Sequence, residues 1–288
     1  MEVVRAKRAG ACYGVQRALD MADEVIADGS VAYTLGPLIH NPQVVADLAE
    51  RGAEPVGDVA AIEWTPASEG EGEAPSVVIR SHGVTPEVLD AVRERGFAVV
   101  DATCPHVARA QAAAAELAHE GCRVIVVGEE GHPEVEGLTA WARQAGGKVD
   151  VVASPNDIPE GLYDPVGVVA QTTQRRENLE AVVAALTEAG LAPIVKNTIC
   201  SATRQRQEAA AELAANVDAM VVIGGRNSSN TTRLAEVCAL TCPRTFHIES
   251  ADELDPAAFE GCARVGVTAG ASTPENQIAA VEAFLKTL

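Results

Sequence analysis

The stretch FAVVDATCPHVARAQAAAAELAHEG, residues 97–121, runs from an apolar β-branched segment through a turn to a cysteine, then into small and apolar residues at helical spacing. Pro105 suits the first turn of that helix, where no backbone donor is missed. The same order occurs twice more: MEVVRA leads to Cys12 and YGVQRALDMADEVIAD, and APIVKNTI leads to Cys200 and SATRQRQEAAAELAANV. Beyond each helix lies another strand-like run, VAYTLGPLIH, RVIVVGEEGH or AMVVIGGRNS, ending on His40, His132 or Ser228. Each of these three residues stands 28 positions after its cysteine. A further strand end follows in SVVIRSHG, VGVVAQTT and RVGVTAGAS, carrying His82, Thr172 and Ser272 at 70, 68 and 72 positions from the cysteine. A helical run follows each of them, so the chain is one pattern written three times.

Alternation of buried strands with helices predicts an α/β fold with mostly parallel sheets covered on both faces. The repeat predicts three similar modules, 13–102, 103–198 and 199–288 joined by 1–12, in a pseudo-threefold trefoil around a central cavity. The opening strand would then complete the third module. Ligands of open α/β sheets sit beyond the carboxyl ends of the strands, where every residue singled out above falls. Residues 57–76, GDVAAIEWTPASEGEGEAPS, break the pattern and read as a solvated acidic loop.

The 288 residues carry a net charge of −19, which repels nucleic acid and anionic membranes and excludes both as expected partners. An anionic substrate would need local donors: helix N-termini, backbone N–H groups, hydroxyls and imidazoles. With 3% aromatics, the core must come from Val, Ala, Leu and Ile. No apolar run reaches the roughly 18–20 residues of a membrane helix, and the first ten residues lack a signal-peptide core, so a cytoplasmic protein is expected.

Seven cysteines, an odd number, argue against a disulfide framework. Cys12, Cys104 and Cys200 hold the repeat positions, each at a helix start where the dipole favours a thiolate. Three thiolates meeting at one point need a cation between them, either a catalytic zinc or a [4Fe–4S] cluster with one iron open to substrate. Cys122, Cys238, Cys242 and Cys262 hold no repeat position and read as core or surface thiols. The imidazoles and hydroxyls of His40, His82, His132, Thr172, Ser228 and Ser272, with neighbours Ser229 and Asn230, suit the oxygens of a phosphate or diphosphate. Glu134, two residues past His132, is the candidate proton donor, with Glu136 as competitor. A zinc protein and a diphosphate-binding or redox-sensing module without turnover remain open readings of the same residues.

ACYGVQRA, LGPLIHNPQVV, SHGV, DATCPHV, GHPEVEG, QTT, NTICSATRQRQEA, GGRNSSNTTRLAE and VTAGASTPE follow one another along nearly the whole chain. Together they resemble the signature segments of the 4-hydroxy-3-methylbut-2-enyl diphosphate reductase family. The resemblance implies a trefoil of three α/β domains around a [4Fe–4S] cluster ligated by Cys12, Cys104 and Cys200. It implies that His40, His82, His132, Ser228, Ser229, Asn230 and Ser272 hold the diphosphate. Glu134 and Thr172 then lie near the substrate hydroxyl, with Glu134 in proton delivery. It also implies reductive removal of that hydroxyl as water, giving isopentenyl and dimethylallyl diphosphates, with electrons from ferredoxin or flavodoxin. Ala11, His106, the Gly225–Arg226 pair and the length of the 57–76 loop depart from the family pattern without touching a residue assigned a role.

Overall fold

The computed structural model describes residues 1–64 and 74–288. Strand β1 (Glu2–Arg5) opens the chain. The first repeat folds as α1 (Tyr13–Ala27), β2 (Ala32–Leu35), α2 (Pro42–Glu50), β3 (Ala53–Val56), β4 (Ser76–Ile79), α3 (Pro86–Glu94) and β5 (Ala98–Asp101). The second is α4 (Pro105–His119), β6 (Arg123–Val127), α5 (Pro133–Gln144), β7 (Val149–Val152), β8 (Val166–Ala170), α6 (Arg176–Glu188) and β9 (Ile194–Val195). The third is α7 (Ser201–Ala214), β10 (Ala219–Ile223), α8 (Ser229–Ala239), β11 (Thr245–Ile248), β12 (Arg264–Ala269) and α9 (Glu275–Leu285).

Among the described residues the strands make three four-stranded parallel sheets, ordered β3-β2-β4-β5, β7-β6-β8-β9 and β11-β10-β12-β1. Written this way they are one topology, with β1 in the fourth place of the last sheet, Val3 beside Val265 and Arg5 beside Val267. The α/β class and its parallel sheets are those the sequence predicts. The contacts divide the chain into two compact units: Met1–Val15, His40–Pro42 and Cys200–Leu288 form one, and Gln16–Ile39 with Gln43–Ile199 the other. The first holds the sheet containing β1; the second holds the other two sheets.

The strands are valine-rich because both faces of each sheet are covered. In β6 and β8, Ile125, Val127, Val168 and Ala170 face Leu179, Val182 and Leu186 of α6. Val124, Val126 and Val169 point to the opposite face, against Leu117 of α4 and Leu138 of α5. The third sheet repeats the division: Val221, Ile223 and Val267 pack on Ile278, Val281 and Leu285 of α9, while Met220 and Val222 meet Ala210, Ala214 and Leu234. Each Val, Leu, Ile or Met among these contributes about 1.5–3 kcal/mol on burial, the alanines less.

Residues 57–62 depart from the expected solvated loop. Asp58 caps a short 3-10 turn, Val59–Ala61, by accepting the Ala60 N–H at 2.8 Å. Val59 and Ile62 are buried against Val77, Ile79 and Val92. Equivalent turns stand at Pro155–Asp157 and Ala251–Glu253, so this part of the stretch follows the repeat. The rest of that expectation, residues 65–73, lies outside the described residues. Among the described residues no helix is long and apolar enough to cross a membrane.

Candidate functional site

In the larger unit, α5 starts at the carboxyl end of β6. His132 caps it, with ring Nδ1 accepting the Glu134 N–H at 3.1 Å. That bond places the proton of a neutral ring on Nε2. Burial, aided by the Arg80 charge, pulls the His132 pKa down to about 4, so the ring is neutral at physiological pH. Its ring stands edge-on to that of His82, centroids 5.7 Å apart.

Glu134 follows in the first turn and is 1% exposed. Its carboxylate accepts the Thr172 N–H at 2.6 Å and the Thr172 hydroxyl at 2.9 Å. Burial pushes its pKa up to about 7 against the downward pull of these two hydrogen bonds. Thr172 itself is buried just past the end of β8. Cys104 lies in the same unit as the N-cap residue of α4, its N–H donating to Ser81 O at 2.9 Å. Glu136, the competing carboxylate, acts on the Arg80 guanidinium, whose pKa burial lowers.

The smaller unit holds Cys12, Cys200, His40, Ser228, Ser229, Asn230 and Ser272. The Cys12 N–H donates to Ala271 O at 3.1 Å, and its sulfur accepts the Val15 N–H at 3.4 Å, closing the first turn of α1. Cys200 is the N-cap residue of α7 but makes no capping bond with its side chain. Ser228 caps α8, its hydroxyl accepting the Thr231 N–H at 3.4 Å. Ser229 and Asn230 are buried in that first turn, and neither side-chain atom of Asn230 has a hydrogen-bond partner. Ser272 donates its hydroxyl to His40 O at 3.0 Å, and Asn41 donates to Ser272 O at 2.9 Å. Gly224, with φ of 143°, leaves room for the Thr231 and Thr273 hydroxyls, which a Cβ would meet at 2.8 and 2.7 Å.

All seven cysteines are free thiols. Cys122, Cys238 and Cys242 are buried in the cores and Cys262 packs beside one, as expected for structural thiols. Among the described residues no three His, Cys, Asp or Glu side chains are gathered as a ready metal-ion site. The donor chemistry of Cys12, Cys104 and Cys200 is of the kind an iron–sulfur centre takes: each is a thiol where the chain turns into a helix, with backbone N–H groups of that helix start beside it.

Sequence reasoning missed Arg206, which is 7% exposed on α7. Its Nε and Nη2 donate to Gly10 O at 3.2 and 2.7 Å, and its Nη1 to Ala202 O at 3.1 Å. Burial lowers its pKa, while Cys12 and Cys200 raise it. The signal was present in the spacing, since Thr203, Arg206, Ala210 and Ala214 form the buried stripe of α7. Gln111, buried on α4 between Gly83 and Gly137, was missed for the same reason.

The LytB protein family model matches residues 3–286. The 4-hydroxy-3-methylbut-2-enyl diphosphate reductases of Geobacter sulfurreducens and Citrifermentans bemidjiense are 50% and 48% identical over 279 and 276 residues, covering 96% of this chain and 93% of each relative. A solved structure of (E)-4-hydroxy-3-methyl-but-2-enyl diphosphate reductase, the terminal enzyme of the non-mevalonate pathway, matches over 100% of both chains at 42% identity with a TM-score of 0.69. The structure of the E-1-hydroxy-2-methyl-but-2-enyl-4-diphosphate reductase from Plasmodium falciparum shares the fold, with a TM-score of 0.87 at 24% identity over 100% of this chain and 87% of that one. The chain therefore belongs to the LytB protein family, an enzyme family whose relatives named here are 4-hydroxy-3-methylbut-2-enyl diphosphate reductases.

Proposed function

We propose that this chain reduces 4-hydroxy-3-methylbut-2-enyl diphosphate to isopentenyl and dimethylallyl diphosphates, the last step of the non-mevalonate isoprenoid pathway. In each turnover two electrons and two protons enter, the allylic C–O bond breaks and water leaves. Cys12, Cys104 and Cys200 would hold a [4Fe–4S] cluster. When bound, that cluster supplies the electrons and a Lewis-acidic iron with an open coordination position.

The observation that carries this reading is the buried Glu134–Thr172 pair. A carboxyl with a pKa of about 7 is half protonated at neutral pH, poised to give a proton to a departing hydroxyl. The Thr172 hydroxyl, 2.9 Å from the carboxylate, orients that proton toward the substrate oxygen. Pure diphosphate binding would need neither group.

The diphosphate takes the neutral donors. His132 offers its Nε2–H, and the N-termini of α5 and α8 offer backbone N–H groups and positive dipole ends. The unpartnered, buried Asn230 amide is a donor waiting for an acceptor. His40, His82, Ser228, Ser229 and Ser272 complete the proposed set. Reduced ferredoxin or flavodoxin delivers electrons singly, and the protein works in the cytoplasm without nucleic-acid or membrane partners.

Anaerobic purification with iron, sulfide and zinc analysis, followed by turnover with a chemical reductant, tests the reading. Iron and sulfide for one cluster per chain, with formation of both products, is expected. A full cluster without turnover makes the chain a diphosphate-binding or redox-sensing module. Stoichiometric zinc that supports folding removes the cluster from the account.

A further inference from the structure

Arg206 is a buried cation whose hydrogen bonds all go to carbonyl oxygens. Among the described residues no carboxylate forms an ion pair with it. A guanidinium taken out of water without a counter-ion is costly, and interiors keep one only where a negative charge answers it. The carbonyls it binds are telling. Gly10 stands two residues before Cys12, and Ala202 two residues after Cys200. One side chain thus ties the turn that presents one cysteine to the helix that presents the other, inside a single compact unit. Gly10 is fitted to this clamp: its φ is 87°, and a Cβ there would meet Ile278 Cδ1 at 2.9 Å. As thiolates, Cys12 and Cys200 would favour the guanidinium, against the opposing charge of Arg8.

We propose that Arg206 is a positioning residue for the iron–sulfur centre, locking the Cys12 turn onto the Cys200 helix and supplying the positive charge that a thiolate-held cluster answers. The inference rests on the ligand reading given under Proposed function. Three thiolates on a dicationic cluster leave a net negative charge, and each electron added increases it. A fixed cation nearby therefore favours the reduced state and raises the midpoint potential. Arginine suits the task because its planar fork reaches both carbonyls at once and stays charged when buried.

The test compares anaerobically reconstituted Arg206→Met and Arg206→Lys with Cys12→Ser and Cys200→Ser, reading iron content, the midpoint from an EPR-monitored redox titration, and thermal unfolding. Arg206→Met is expected to lose at least about half its iron on desalting. In the clusters that remain, the reduction equilibrium should fall roughly tenfold, which for one electron is about 59 mV to the negative side. Arg206→Lys, which keeps the charge without the fork, should lose iron similarly but keep a wild-type midpoint. If both variants lose iron while melting as wild type does, and only Arg206→Met shifts the midpoint, the inference stands. If either unfolds, or Arg206→Met keeps full iron at the wild-type midpoint, the inference is overturned. Iron lost from the cysteine variants alone would overturn only the arginine's role. Full iron with a wild-type spectrum in Cys12→Ser or Cys200→Ser would overturn the ligand reading itself.

Discussion

The starts of α5 and α8 occupy the same place in two copies of one topology, each following the second strand from its sheet edge. His132 and Ser228 cap them, and Glu134 and Asn230 each lie two residues further on. The backbone frame is shared; the chemistry is not. At α5 a carboxyl is buried, doubly hydrogen-bonded by Thr172 and shifted to a pKa of about 7. At α8 a neutral amide is buried with no partner for either of its polar atoms. On the proposed reading, a repeated fold specialises one helix start for moving a proton and its equivalent for holding an anion, by changing single side chains at one register.

The largest effect expected from breaking that contrast is at Glu134. Glu134→Gln keeps an oxygen for the Thr172 N–H and lets the Thr172 hydroxyl turn to accept from the amide, so the fold and cluster content should persist. Turnover should drop by roughly 10²–10⁴-fold, the usual worth of a positioned general acid. Wild-type activity in an anaerobic steady-state assay of this variant would remove Glu134 from proton delivery.

The same carboxyl predicts the pH profile. If its protonated form is the donor, as proposed, kcat should fall as pH rises through about 7, and this limb should vanish in Glu134→Gln. The Thr172 hydrogen bonds pull the pKa down, so Thr172→Val should move the limb to higher pH. Stability follows the same sign. A carboxyl whose pKa is raised in the fold contributes fully below its ordinary value of 4.5, and that contribution is lost as pH rises through about 7. The loss is about 3 kcal/mol, so Glu134→Gln should outmelt the wild type at pH 8 and not at pH 4. Equal melting gaps at both pH values would contradict the burial argument.

Asn230→Ala probes the other side of the comparison with a smaller effect. With no partner to lose, the fold should keep its Tm within a few degrees, whereas KM should rise about tenfold for one lost donor to the ligand. A fall in kcat at unchanged KM would instead give Asn230 a share in the chemistry.

Much of this was legible in the sequence because the repeat fixes register. Three cysteines and three later residues at one offset identify strand ends without any structure. What escaped were features carried by few apolar residues. Strand β3 reads AEPV, and Pro55 is tolerated because β3 lies at a sheet edge, where a missing N–H breaks no ladder. The 3-10 turn at Val59–Ala61 hid in an acidic stretch, since Val59 and Ile62, among its described residues before Ser76, enter the core, with Trp64 partly buried beside them. Arg206 and Gln111 lie on helix stripes that are otherwise small or apolar, so polarity masked their burial although the period pointed inward. Arg80, two residues before His82, carries no motif of its own, yet its charge helps keep the His132 ring neutral.

The smallest predicted effect separates the cysteines at helix starts from those in the core. Cys238 is fully buried on α8, its thiol near Ala210 O at 3.9 Å. Burial, with a lesser push from Cys242, drives its pKa up to about 12, so at physiological pH it stays a thiol and offers no thiolate to a metal. Cys238→Ala removes one sulfur from the space shared with Leu234, Met220 and Ala210. The cost is about 1 kcal/mol for the small cavity, a drop in Tm of roughly 2–4 °C for a chain of this size. Iron per chain after anaerobic reconstitution should equal that of the wild type. A deficit there would mean that the α8 thiol itself helps hold the metal, and the distinction drawn from the repeat would fail at its most economical test.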